Sequence, residues 1–236
     1  MISLICVYND KKMVKDMISS IHTKVDIEPI LVDNTKNKFM SAAEALEYGM
    51  KKSTGEIVCF LHQDIIFFED TFFERLESYI NENQNQLLGV AGVNKTEGIV
   101  SSIKSGPWKA SYTTIKENDG LKMVITLDEV LIACHRVLFE KKIIHFDKKI
   151  CDGWHLYGAD LCLQAQEKGI AVMVLAAGLH HLSTGNADYN FYITFDRLAH
   201  KYQKKFSKIY VTSSWTYTNP ILRKILFTYR KLRKIF

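Results

Sequence analysis

The sequence has no glycine just after its first apolar run: ISLICV leads directly into YNDKK. A glycine-rich loop that cradles a triphosphate after the first strand is therefore absent. No two cysteines form a CxxC pair, which leaves zinc-ribbon and dithiol redox chemistry without ligands. The five that occur, Cys6, Cys59, Cys134, Cys151 and Cys162, are odd in number and scattered mostly through apolar segments, so buried thiols in a reducing compartment are expected. No apolar run approaches the roughly 20 residues that cross a bilayer. The longest uncharged one, Ile170 to Leu179, has ten. MISLICVYNDKK has no basic segment ahead of its short apolar run, as a signal peptide requires. A cytoplasmic chain is expected, free or peripheral at the inner face of the cell membrane. No 20–50-residue repeat and no low-complexity linker interrupt the sequence.

What is present is enough for a packed core. The chain has 236 residues, 47% of them hydrophobic. The net charge of +5 is concentrated, because six basic residues fall in the last fourteen. The excess belongs to a tail, and no nucleic-acid partner is expected.

Periodicity alternates along the first ninety residues. Ile2 to Val7 reads as a strand buried on both faces. Met13, Val14, Met17, Ile18 and Ile21 then recur at helical spacing after Asp10 as N-cap. Pro29 to Asn34 is a second strand, and Ser41 with Glu44 forms a capping-box signal for a helix through Met50 that stops before Gly55. EIVCFL is a third strand, and Thr71 with Glu74 repeats the signal for a third helix. Strand and helix in alternation predict an α/β fold with a largely parallel sheet.

Further along, VAGV predicts a fourth strand, and Gly98, Gly106-Pro107 and Gly120 predict hairpins and a mobile loop. Met123 to Arg136 reads as a strand running toward a helix. Ala159 to Gly169 is a short helix, Ile170 to Gly178 a buried strand, and 189–206 a helix.

Open sheets of this kind bind ligands beyond the carboxyl ends of their strands. Those ends hold Tyr8-Asn9-Asp10, Asp33-Asn34 and His62-Gln63-Asp64. The last of these interrupts EIVCFLHQDIIFFED. Either the strand ends there with polar residues facing water, or it presents a ligand for a metal or phosphate. Asp64 suits a hard divalent cation that keeps substrate phosphates as further ligands. It also suits a turn-capping role.

The segment SAAEALEYGMKKSTGEIVCFLHQDIIF resembles the stretch of family 2 glycosyltransferases in which a helix, a Gly-Glu turn and a strand lead into the DXD-type motif. FDKKICDGWHLYGADLCLQAQEKGIAV is similar to their acceptor-side segment. The resemblance spans Ile2 to Leu182 and lies nearest the bacterial glycosyltransferase-like group with a His-Gln-Asp version of the motif. It implies a GT-A fold, a mostly parallel sheet flanked by helices with a C-terminal helical extension. The catalytic domain is expected over 1–206, with a nucleotide-binding half at 1–95 and an acceptor half at 96–206.

The resemblance also implies roles. Tyr8 would flank uracil and Asp33 would bond the base or ribose, with Asn9, His62 and Gln63 completing the donor site. Asp64 would hold Mn²⁺ or Mg²⁺ against the diphosphate of a UDP-sugar. His62 stands where many relatives carry Asp, and removes one carboxylate. Asp160 matches the catalytic base, although relatives often read Glu-Asp where this chain has Ala159-Asp160. An aspartate opening a helix reads the same, and the two roles are compatible.

His180 and His181 lie where similar enzymes often place another metal or diphosphate ligand, though loop histidines are commonly surface residues. Ser183-Thr184-Gly185 is placed to close over the nucleotide. Asp152, Trp154, His155 and Tyr157 form a candidate acceptor wall, with Asp128 and Glu129 at another strand end facing the acceptor or donor sugar. Aromatic core residues would look the same one by one. The implied chemistry is inverting transfer to a hydroxyl of a glycan or lipid-linked glycan, in assembly of a bacterial surface polysaccharide or glycoconjugate. Asp160 would take the proton, and no covalent enzyme nucleophile is needed.

Over 207–236 a basic amphipathic helix is expected. Ile221, Leu222, Ile225, Leu226, Tyr229, Leu232 and Phe236 form its stripe. Such a helix suits an anionic membrane surface; docking on the domain or on a second copy of the chain is the other reading. Two rival functions stand beside transfer. A sugar-phosphate nucleotidylyltransferase lacks its glycine-rich loop here, and a non-catalytic nucleotide-binding or membrane-docking module is favoured only by His62 and Ala159.

Overall fold

The computed structural model describes residues 1–106, 110–111, 115–116, 119–183, 185 and 187–233. Thr184, Lys234 and Phe236 lie outside them. The first half runs β1 (Ile2–Tyr8), α1 (Lys11–Ser19), β2 (Ile27–Asp33), α2 (Ala42–Met50), β3 (Ile57–Leu61), β4 (Ile65–Phe67), α3 (Phe72–Glu82), β5 (Gln86–Gly89) and β6 (Ala91–Asn94). There follow β7 (Gly98–Ser101), β8 (Lys104–Ser105), β9 (Ala110–Ser111), β10 (Leu121–Met123), β11 (Thr126–Leu127), β12 (Leu131–His135), α4 (Val137–Glu140) and α5 (Tyr157–Glu167). The chain ends with β13 (Ala171–Leu175), β14 (Leu179–His181), α6 (Tyr189–Lys201), β15 (Lys208–Val211), β16 (Ser214–Tyr217) and α7 (Pro220–Leu232).

Helix starts follow the capping chemistry in two of three expected cases. Asp10 accepts from Lys12 N and Met13 N, and Ser41 Oγ accepts from Glu44 N. The Thr71 signal does not form a cap. Its hydroxyl donates to Glu69, while Glu74 turns to the N–H of Lys24 at 2.7 Å.

The central sheet has the order β10-β13-β5-β12-β3-β1-β2. β1 pairs parallel with β2 and β3, and β13 parallel with β5, whereas β12 lies antiparallel between β3 and β5. With β10 also antiparallel, five of the seven strands share one direction, so the sheet is mainly parallel. The strand expected at VAGV instead begins a separate sheet, β11-β6-β7, and the neighbouring Gln86–Gly89 takes the central place. The run from Met123 to Arg136 likewise divides into β10, β11 and β12, with Asp128, Glu129 and Val130 at the bend.

Apolar residues alternate across the sheet because successive strand side chains point to opposite faces. Ile5, Val58, Phe60 and Ile132 face α2 and α5. Leu4, Cys6, Cys59 and Leu131 face α1 and α3. Gly49 lets α2 lie against β1, since a Cβ there would sit 2.6 Å from Ile5 Cγ2. All five cysteines are buried free thiols.

A third cluster packs α6 and Ile209 of β15 against Leu156, Ala159 and Leu163. The helix expected over 207–236 occupies only Pro220–Leu232, because KIYVTSSWTY forms the β15–β16 hairpin first. The α6 helix ends at Lys201, short of the expected 206. Among the described residues no helix is long and apolar enough to cross a membrane.

Candidate active site

β3 ends at Leu61, and the chain passes through His62, Gln63 and Asp64 into β4. β14 pairs antiparallel with β4, which sets His181 opposite Ile65 and His180 opposite Ile66. The ladder continues one residue further, where Leu182 N donates to Asp64 O at 2.9 Å. Adjacent residues of a strand point to opposite sides, so only one histidine of the pair can face Asp64. That one is His181, whose Nε2 lies 3.4 Å from Asp64 Oδ1 and 3.3 Å from His62 Nδ1. His62 Nδ1 is 3.9 Å from the same carboxylate oxygen, and the Ser183 hydroxyl is 3.1 Å from His181 Nε2. His180 turns away, with its Nε2 held by the Gly106 carbonyl at 2.9 Å.

Two imidazole nitrogens and a carboxylate oxygen thus lie within 4.8 Å of one another. The electrostatics of Asp64 and His62 suit a cation. Burial by itself raises the Asp64 pKa, but the hydrogen bond and charge of His181, with His62 and Ser183, bring it down to about 2. Burial and the neighbouring His181 hold His62 below the usual histidine range, so its ring is neutral and keeps a lone pair. The donor set, two nitrogens and one carboxylate, fits a divalent metal of the manganese class better than magnesium, which prefers oxygen throughout.

Gln63 does not join this cluster. Its Oε1 accepts from Asn9 N and Asp10 N at 3.0 and 2.9 Å, and its Nε2 donates to Asn9 Oδ1 at 2.6 Å. Gln63 and Asn9 thereby lock the ends of β3 and β1 together. Tyr8 and Asp33 are register partners at the ends of β1 and β2. The Thr35 hydroxyl and N–H, at 2.7 and 2.8 Å, hold the exposed Asp33 carboxyl below its usual range.

A cavity of about 510 Å³ opens beside the cluster, lined among others by His62, His181, Asp128, Glu129 and His155. β12 runs beside β3, and His62 N donates to Val130 O at 3.0 Å. This pairing brings the Asp128-Glu129 bend to the same edge as the histidines. Asp128 accepts from Val130 N at 3.1 Å and from the Thr212 hydroxyl. Glu129 reaches the N-terminus of α5, where Gly158 N donates to its Oε1 at 3.0 Å. Burial drives its pKa up to about 8, against the opposing pull of the Gly158, Leu156 and Tyr157 N–H groups.

Asp160 does not line this cavity. It is 1% exposed, and three donors close its carboxylate: Lys201 Nζ at 2.6 Å, Tyr202 Oη at 2.8 Å and Gln164 Nε2 at 2.8 Å. The expected base Asp160 thus lies in a buried ion pair in the seam between α5 and α6. Helical rotation is the reason: Ala159 faces the cavity, and the next residue is turned about 100° away from it. Lys201 also reaches Asp147 at 3.0 Å. Burial opposes its charge, but the two carboxylates more than offset this and raise its pKa.

The expected acceptor wall divides. His155 lines the cavity with its ring edge-on to Phe191, whereas Trp154 is exposed. Tyr157 is buried, its hydroxyl donating to Glu129 O at 3.4 Å, and Asp152 is tied to Arg197 at 2.5 Å on the surface.

The family model described as glycosyltransferase-like matches residues 3–210. The chain belongs to this glycosyltransferase-like family. Among solved structures it is similar to S. aureus TarS 1-349 in complex with UDP-GlcNAc, with a TM-score of 0.62 at 14% identity, covering 86% of this chain and 66% of that one. TarS 1-349 in complex with UDP gives a TM-score of 0.53 at 16% identity, covering 86% and 65%. A curated relative, "ATP synthase subunits region ORF 6" of Fuscovulum blasticum, is 36% identical over 84 residues, 35% of this chain and 31% of that protein. The chain thus spans at most 66% of the length of these three matches. The TarS likeness shows the fold, a GT-A arrangement.

Within this glycosyltransferase-like chain, sequence reading missed Lys201, which pairs with Asp160, and Thr212 and Ser213, which line the cavity from the β15–β16 turn. The alternation KIYV-TS-SWTY was the available signal for that turn. The ion pair is testable. Asp160→Asn strips a partly buried lysine of one of two carboxylates and is expected to lower unfolding stability by up to about 3 kcal/mol in urea titration. Catalytic turnover of the folded fraction is expected to stay within threefold of wild type, and a loss above a hundredfold would return the base role to Asp160.

Proposed function

We propose that the protein is a metal-dependent, inverting glycosyltransferase. It moves a sugar from a nucleotide-sugar, most simply a UDP-sugar, to a hydroxyl of a glycan or lipid-linked glycan in assembly of a bacterial surface polysaccharide or glycoconjugate. The observation that carries this is the convergence of His62, Asp64 and His181 at the carboxyl edge of the sheet, beside a 510 Å³ cavity, in a chain of the glycosyltransferase-like family. The UDP and UDP-GlcNAc complexes of TarS favour a UDP-linked donor.

Asp64, His181 and His62 would hold Mn²⁺, or Mg²⁺ less readily. When bound, the ion offsets the negative charge that grows on the departing diphosphate. Tyr8 and Asp33 sit at the strand ends where the base and ribose of a nucleotide would lie. Gln63 and Asn9 keep those ends in register. Residues 1–95 form the nucleotide-binding half, and 96–206 supply the acceptor side together with the ligand His181. Calorimetry with UDP tests the reading: Mn²⁺ is expected to tighten UDP binding at least tenfold, and Asp64→Ala to abolish that gain. Equal affinity with and without the metal would contradict it.

The C-terminal helix supports a site of action at the inner membrane face. α7 docks by its arginines. Arg223 Nε meets Asp196 Oδ1 at 2.6 Å, and Arg230 donates to Trp215 O at 2.5 Å. Its apolar stripe faces outward instead, with Ile221 70%, Ile225 61% and Leu232 79% exposed. Exposed Lys224, Lys231 and Arg233 flank the stripe, and the helix has no acidic residue. Apolar side chains rimmed only by cations match anionic lipid. Co-sedimentation is expected with phosphatidylglycerol vesicles and not with phosphatidylcholine vesicles, and Ile221→Glu with Ile225→Glu is expected to reduce it at least tenfold. Unchanged binding, or a dimer that the two substitutions split, would refute lipid as the occupant.

A further inference from the structure

An inverting transfer needs a base within reach of the acceptor hydroxyl, and Asp160 is closed off by Lys201, Tyr202 and Gln164. From the cavity geometry we infer that Glu129, held at the N-terminus of α5, is the catalytic base of this chain. The inference rests on the glycosyltransferase reading given above.

Three observations carry it. Glu129 lines the cavity that His62 and His181 also line, and its neighbour Val130 is hydrogen-bonded to His62, so base and metal cluster share one sheet edge. α5 has no cap of its own: Leu156 occupies the N-cap position in the left-handed region, φ 69°, and offers no side-chain acceptor. This leaves the first N–H groups of the helix to the Glu129 carboxylate, which accepts from Gly158 N at 3.0 Å.

Gly158 then reserves the space. A Cβ there would stand 2.9 Å from Glu129 Cγ and 2.7 Å from Ile132 Cδ1, so any side chain at 158 displaces the glutamate. The carboxylate is held against the start of α5 from the bend that precedes β12, and among the described residues no lysine or arginine is bound to it.

The other polar groups of the cavity serve less well. Asp128 is a second carboxylate on the wall, its two oxygens accepting from Val130 N and the Thr212 hydroxyl, and it lies away from the start of α5. His62 and His181 belong to the metal cluster. His155 is the rival, a ring packed on Phe191, with a pKa held down by burial. The ionisable groups around Glu129 are Asp128 on its own bend, Tyr157 and Cys162 on α5 and Cys151 before it, with His62, His155 and His181 on the other walls of the cavity. A base that titrates near 8 matches proton transfer at neutral pH.

The step balances. The acceptor oxygen bonds to the anomeric carbon as its proton passes to a Glu129 carboxylate oxygen, and the bond from that carbon to the diphosphate breaks with its electron pair leaving on the nucleotide. The products are the glycoside, UDP and, once Glu129 ionises again, a proton.

The test is UDP release from a panel of UDP-hexoses with Mn²⁺, with water as the acceptor, for wild type, Glu129→Gln, His155→Gln and Asp160→Asn, beside calorimetry with UDP. Glutamine keeps an oxygen for Gly158 N, so Glu129→Gln is expected to bind UDP within threefold of wild type while its turnover falls at least a hundredfold. Wild-type turnover is expected to rise with pH to a plateau, and this limb is expected to disappear in Glu129→Gln and persist in Asp160→Asn. The fold supplies a second readout. Glu129 titrates higher in the folded chain than in the unfolded one, so the stability of wild type relative to Glu129→Gln is expected to fall as pH rises from about 5 to 8. Turnover of Glu129→Gln within threefold of wild type, or a collapse confined to His155→Gln, overturns the role of Glu129 alone. A wild type that binds UDP and turns over no member of the panel overturns the glycosyltransferase reading with it.

Discussion

The antiparallel pairing of β14 with β4 is the constraint on which the site depends. Asp64 and His181 are far apart in sequence, and one backbone ladder brings them to 3.4 Å. A slip of one residue in that ladder would exchange His181 for His180 and point the wrong imidazole at the carboxylate. The ladder in turn hangs on β3, whose buried strand delivers His62 to the same place, and on Gln63, which ties that strand end to β1. Charge at the edge of the sheet is thus held by backbone registration, with side chains making only the last contacts.

Two carboxylates near α5 show how surroundings divide one functional group into two roles. Asp160 is sealed from water and Glu129 lies part-buried on the cavity wall, and desolvation works on each. Asp160 has a lysine at 2.6 Å and two further donors, so its charge is neutralised within the protein and serves packing. Glu129 has only a helix end to oppose its burial, and its proton is held until about pH 8. The first arrangement joins α6 to the domain. The second leaves a proton acceptor on the wall of a cavity.

Much of the scaffold was legible because it follows from local pattern. The continuous apolar runs of β1 and β3 announced strands buried on both faces, and Asp10 and Ser41 announced their helices. His62 and Asp64 stood out because polar residues interrupt an apolar run. The choice between His180 and His181 was not legible, since it is settled by pairing with a strand more than a hundred residues away. The burial of Asp160 was not legible for a related reason. Its place in a motif says nothing of the helix rotation that turns it toward Lys201, 41 residues on. Glu129 was legible only as a residue at a strand end, because its setting needs both the empty Cβ position of Gly158 and the uncapped start of α5. The hairpin before α7 was hidden by the basic tail, whose charge drew attention from the alternation preceding it.

Crystals soaked with MnCl₂ and UDP and measured at the manganese absorption edge test the centre of this account most directly. The account predicts one strong anomalous peak within roughly 2.5 Å of both an Asp64 carboxylate oxygen and His181 Nε2, with a diphosphate oxygen beside it. A peak held by Asp128 or the nucleotide alone, with Asp64 and His181 still facing each other across an empty gap, would contradict it.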